Sequence, residues 1–231
     1  MHTVDLGIAA DICGHAMVEL LHEYPGNNQD TKCQKMWEDL SSWYASWTGE
    51  PLRRLQNLKV SMFKPAKKSP KLHGTAQEVR SVVPWLADAC SRFWANGNTH
   101  QKTVCHLLQH LCSCYDCIAH AWTGRPDLAR ALHSNGKKLW LLYVALEQEA
   151  LANDPDDTHT WRVKPKLHLF QHLCTYKDHN PRDFWCYADE AQQGVLADLF
   201  ERKGGRDSPG KAAMSLLQRW SALTPFVKIP R

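Results

Sequence analysis

Trp161-Arg162-Val163-Lys164-Pro165-Lys166-Leu167-His168-Leu169-Phe170-Gln171-His172 runs on through Asn180-Pro181-Arg182 to Tyr187-Ala188-Asp189-Glu190. Pro165 suits the first turn of a helix, where its missing N–H costs nothing. The spacing predicts a helix over 165–176. Leu167, Phe170, Leu173 and Cys174 take one side, and His168 and His172, one turn apart, take the other. After the turn at Asn180-Pro181, a second helix is expected over 186–203, with Ala191, Val195 and Leu199 inward and Glu190 roughly opposite. Gly204-Gly205 stops it, and Ser208-Pro209 opens a last helix to 223.

Upstream of this stretch the pattern is also helical. A broad apolar face (Leu6, Ile8, Ile12, Met17, Leu20, Leu21) starts within the first few residues and ends at Pro25-Gly26. A second helix is predicted from Asp30 to Trp47, a short one over 51–58, and an extended piece at 60–63. Thr75 caps a helix with Val79, Val82, Val83, Leu86 and Phe93 inward and a kink expected at Pro84. The next carries Val104, Leu108, Leu111 and Ile118 on one face. Another is predicted from 127 to 152, interrupted at Gly136. Asn153-Asp154-Pro155-Asp156-Asp157 is the sharpest boundary, giving a domain at 1–153 and another at 154–231. Strand signal is almost absent, so the chain reads as mainly α, a helical bundle followed by a helical flank.

Composition sets outer limits. The 231 residues suffice for a sizeable core, and a net charge of +4 permits a polyanionic partner without demanding one. No apolar run approaches the ~20 residues of a membrane span, so no membrane contact is expected. Nine cysteines, an odd number in helical segments and without a signal-like N-terminus, point to an intracellular setting. The abrupt helical start reads as a fragment of a larger fold. Its apolar faces are expected to stand exposed, inviting self-association or a covering partner.

Several groups could carry chemistry, each with a plainer alternative. The basic loop from Lys64 to Lys71 is either phosphate-contacting, a nuclear-import signal or a solvated linker. His106, His110 and Cys117 share a helix side and could hold zinc, or be surface histidines and a buried thiol. His168 and His172 suit metal ligation or a supporting role, but the metalloprotease pattern His-Glu-x-x-His is absent. Glu190, beside Asp189, is a carboxylate ligand for a divalent cation or a solvated acid favoured by its helix dipole.

Lys164-Pro165-Lys166-Leu167-His168-Leu169-Phe170-Gln171-His172, the Asn180-Pro181 gap and an acid opening a helix at Glu190 together resemble the C-terminal region of CACTA-like cut-and-paste DNA transposases. Met1-His2-Thr3-Val4-Asp5-Leu6-Gly7 is similar to the segment after that family's second catalytic Asp, with His2 as its characteristic histidine. The resemblance implies an incomplete RNase H-like domain interrupted by a long helical insertion, which residues 4–153 would supply. It implies strand cleavage and transfer on DNA assisted by two Mg²⁺, with Glu190 as the third ligand and catalytic acid. Asp189, His168 and His172 would support the cleft, and Lys164, Lys166 and Arg182 would contact DNA phosphates. The first two acids fall outside this sequence, so the chain is expected to be inactive alone, and nuclear if the resemblance holds. The rival reading is an intracellular helical protein-interaction module without catalysis, supported by the Trp and Leu stripes.

Overall fold

The structure, a computed structural model, describes residues 3–65, 68–175 and 179–184. All of them lie in one compact unit, Met1–Trp185, which includes described residues on both sides of the acidic turn at 154–157. The helices expected over 186–203 and 208–223 lie outside the described residues.

A π-helical turn, Val4–Ala9, passes without a break into α1, Ala10–Leu20. Then come α2 (Gln29–Ser46), α3 (Ala76–Phe93), α4 (Thr99–Ala119), α5 (Pro126–Asn153) and α6 (Pro165–Thr175). Short 3₁₀ turns stand at Val60–Met62 and Pro181–Phe184. There is no strand among the described residues, and none of their helices is long and apolar enough to cross a membrane.

The starts are set by side chains that satisfy the free N–H groups of a first turn. Asn28 accepts from Thr31 N at 2.8 Å. Thr75 and Glu78 form a reciprocal capping box on α3, and Asn98 and Gln101 form another on α4. The carbonyls at the end of α4 are met from far along the chain. Asn180 Nδ2 donates to Ile118 O (3.2 Å) and His120 O (2.7 Å), and Arg182 Nη1 donates to Ala119 O.

The longest packing seam joins α4 to α5; α3 packs on α4 and α1, and α6 on α5 and the π-helical turn. Trp85, Trp161, Phe63 and Phe170 are among the largest fully buried side chains, and one continuous apolar cluster includes residues of every helix. Asp39 ties α2 in: its carboxylate accepts from Tyr24 Oη (2.7 Å), Trp85 Nε1 (3.2 Å) and Arg92 Nη2 (2.8 Å).

The described structure departs from the sequence reading in four places. Residues 51–58 form no helix: only Leu55 and Leu58 are buried there, too little to offset the nucleation cost of so short a helix. The piece at 60–63 is a 3₁₀ turn rather than extended. α5 passes straight through Gly136, where a Cβ would lie 2.4 Å from Cys174 Sγ. Glycine at that point permits the α5–α6 approach instead of breaking the helix. Nor does the apolar start stand exposed: Ile12, Met17 and Leu20 are fully buried by the chain itself.

Candidate functional site

α1 is apolar almost all round, yet Asp11, His15 and Glu19 repeat along it at four-residue spacing. The three form a polar stripe on one side of the helix. The segment 161–164 lies against this stripe, contact by contact. Lys164 Nζ lies 3.0 Å from Asp11 Oδ1, an ion-pair distance without hydrogen-bond alignment. The His15 ring stacks on the Trp161 indole at 4.5 Å. Trp161 Nε1 donates to Glu19 Oε1 at 2.8 Å.

Trp161 sits with φ at 49°, in the left-handed region that a bulky side chain enters at a cost of roughly 1–3 kcal/mol. Its surroundings hold it there. The indole is fully buried, stacked on His15, edge-on to Tyr143 at 5.6 Å, and anchored through its N–H. That conformation directs the chain into Lys164, Pro165 and α6. Val163 N is held by Glu147 Oε1 at 2.7 Å, and Arg162 O accepts from Tyr143 Oη at 3.3 Å.

The basic loop reaches the same place from the other direction. Residues 70–71 cross α1 at Gly14, where a Cβ would lie 2.3 Å from the Lys71 backbone. Leu72 N donates to Ala10 O (2.8 Å), and Lys71 Nζ to Leu6 O (2.8 Å) on the π-helical turn. Burial lowers the Lys71 pKa; Asp11 opposes that, while Lys166 and Lys164 add to it. Lys71 therefore has Asp11, Lys166 and Lys164 as electrostatic neighbours, and Lys164 is in contact with that buried carboxylate. Burial pushes the His15 pKa down to about 3, and Lys164 reinforces the shift, so that imidazole is neutral.

The other end of the stripe is a charge relay between helices. His100 on α4 bridges Glu19 (3.0 Å) and Glu149 on α5 (2.8 Å). The hydrogen bond to Glu19 is the main reason its pKa rises to about 9, so it is a cation at neutral pH.

His168 and His172 do meet, Nε2 to Nε2 at 2.9 Å with edge-on rings, on the exposed side of α6. One nitrogen donates and the other accepts. Lys164 and Lys166 flank the start of α6, whereas Arg182 is turned to the end of α4. Glu190 and Asp189 lie outside the described residues. Among the described residues no group of three or more His, Cys, Asp or Glu side chains converges to hold a metal ion, so no ligand set for Mg²⁺ is seen there. His106, His110 and Cys117 share a side of α4 but span 11 residues, about 16 Å of helix. His110 Nδ1 is bonded to Asn135 Oδ1 at 2.9 Å, and Cys117 is buried. Burial raises the thiol pKa of Cys13, Cys33 (to about 11), Cys90 and Cys112 (to about 12), and contact with Cys174 raises that of Cys114. None of these five is held as a reactive thiolate by its protein surroundings.

The sequence reading missed Asp11, His15 and Glu19, although their four-residue spacing in an apolar helix was a visible signal. It considered Lys71 only as part of a loop. No family model matches the chain, and no curated protein and no solved structure matches it.

Proposed function

We propose that this chain is the helical insertion and adjoining flank of a CACTA-like cut-and-paste transposase, and that its part in that enzyme is to hold DNA by its phosphates. One observation carries the reading. The π-helical turn Val4–Ala9, which takes in part of the Met1–Gly7 stretch that resembles the segment after the second catalytic Asp, packs on α6, which carries most of the Lys164–His172 segment that resembles the stretch before the last acid, and Lys164 pairs with Asp11 just beyond that turn. An insertion within one catalytic domain must return the chain to its point of departure, and the stretch read as the insertion, residues 4–153, is followed by a segment that comes back to the π-helical turn at its start. Lys164 and Lys166 then stand at the point of return, where phosphates would be neutralised. Glu190 is the acid that the resemblance assigns to a metal. Cleavage is not assigned to this chain alone.

The test is equilibrium binding of the purified chain to a fluorescent DNA duplex, titrated over salt. The expected result is affinity at low salt that falls linearly in log–log form as counterions are released, by about 0.9 per phosphate contact. Absence of binding even at low salt would overturn the reading and favour a helical protein-interaction module.

A further inference from the structure

We infer that Lys71, Lys164 and Lys166 form a single phosphodiester-binding face, with Asp11 as the positioning residue beneath it. This rests on the DNA-holding reading and extends it to a residue from the basic loop and to a buried acid.

Three like charges from two segments far apart in sequence are brought together, and the fold enforces their meeting. The loop crosses α1 where only glycine fits, at Gly14, and is held by Leu72 N to Ala10 O and Lys71 Nζ to Leu6 O. The hydrogen-bond partner of Lys71 is a neutral carbonyl, Leu6 O, and Asp11 is the acid that favours its charge. Lys166 has no ion pair or hydrogen bond among the described residues, and it stands in the first turn of α6, where the helix dipole disfavours a cation. Among the described residues, Lys164 alone of the three has an acid in contact, the buried Asp11. Among the described residues Asp11 is the carboxylate paired with this group, so the three lysines carry positive charge in excess of it. Solvated lysines with no ligand to meet would be expected to spread apart, because like charges repel.

The Asp11 contact has a specific consequence. A buried carboxylate fixes the Lys164 ammonium at a defined place, reducing the side-chain entropy that a flexible lysine loses on binding a phosphate. A phosphodiester backbone is the matching ligand, since it presents anionic oxygens in series rather than singly. Free phosphate shares the chemistry, and the test separates the two.

The experiment measures duplex affinity and its salt slope for the wild-type chain, K164Q, K166Q, K71Q, K71R and D11N, with K35Q on α2 as a control. Each chain is first checked by thermal melting. K164Q and K166Q are expected to weaken binding roughly threefold to tenfold at low salt and to reduce the slope by about 0.9 each. K71Q should do the same and K71R should restore the slope; K35Q should change neither. D11N separates positioning from bulk charge. It makes the chain more positive, so charge alone would tighten binding, whereas loss of positioning weakens it and makes a further K164Q change nearly silent. Wild-type binding that K164Q and K166Q weaken but K71Q and D11N leave unchanged would overturn this inference while sparing the DNA-holding reading, and binding that none of the substitutions weakens would overturn both. No wild-type binding would overturn both. Competition by inorganic phosphate at matched ionic strength, beyond that of chloride, would overturn the duplex-backbone assignment in favour of a single-phosphate pocket.

Discussion

Two histidines on the same side of α1 are tuned in opposite directions, and their signs can be worked through. His15 is buried and neutral, with its pKa lowered to about 3 from an ordinary 6.5. Its contribution to stability is present above pH 6.5 and is lost as pH falls towards 3, because only the unfolded chain then takes up the proton. His100 is raised to about 9 by Glu19 and Glu149. Its contribution is full below pH 6.5 and is lost as pH rises through 9. Stability should therefore be greatest near pH 6.5 and decline on both sides. The slope is at most about 1.4 kcal/mol per pH unit for each titrating group. Because His100 is partly solvated, about 1–2 kcal/mol is expected over its whole alkaline limb. Thermal melts from pH 4 to 9.5 check this. H100N should flatten the alkaline limb alone, and H15F, which keeps a ring against Trp161, the acid limb alone. An alkaline limb unchanged in H100N would mean that the bridge contributes nothing.

At the level of elements, the helices were legible because their information is local. Thr75 announces the start of α3 through side-chain chemistry confined to one turn, and Asn98, legible as punctuation after α3, proves to cap α4 in the same way. Gly136 was misread because its meaning is not local. A glycine inside a helical pattern signals either a break or a close crossing, and only the position of Cys174 on α6 decides which. Gly136→Ala supplies the sharper test. Alanine favours the helix by about 1 kcal/mol, but its Cβ would stand 2.4 Å from Cys174 Sγ and 2.6 Å from Cys174 Cβ. Overpacking at such a contact costs about 1–3 kcal/mol. A net loss of about 1–2 kcal/mol in urea unfolding is expected; a gain would show that α6 can move away freely.

Over the whole molecule, the mainly helical class follows from periodicity, and α6 itself was legible from Pro165 and the Leu167, Phe170, Cys174 spacing. What α6 rests on was not. The register that sets Lys164 over Asp11 and Trp161 over Glu19 joins residues about 150 positions apart, and no local pattern encodes it. The polar stripe on α1 announced that something polar would dock there, without saying what. The left-handed Trp161 that turns the chain into α6 left no mark either, since tryptophan is among the last residues expected in that conformation. The central claim is that the motif-bearing segment and the N-terminal helix form one docked body. Native-state hydrogen exchange on the free chain tests it most directly. If the claim holds, the amides of α6 exchange in the same slow class as those of α1 and α4, and opening α6 requires opening the core. If 165–175 exchanges as a fraying segment while α1 and α4 stay protected, the docking through Trp161 and Lys164 is not a feature of the folded protein.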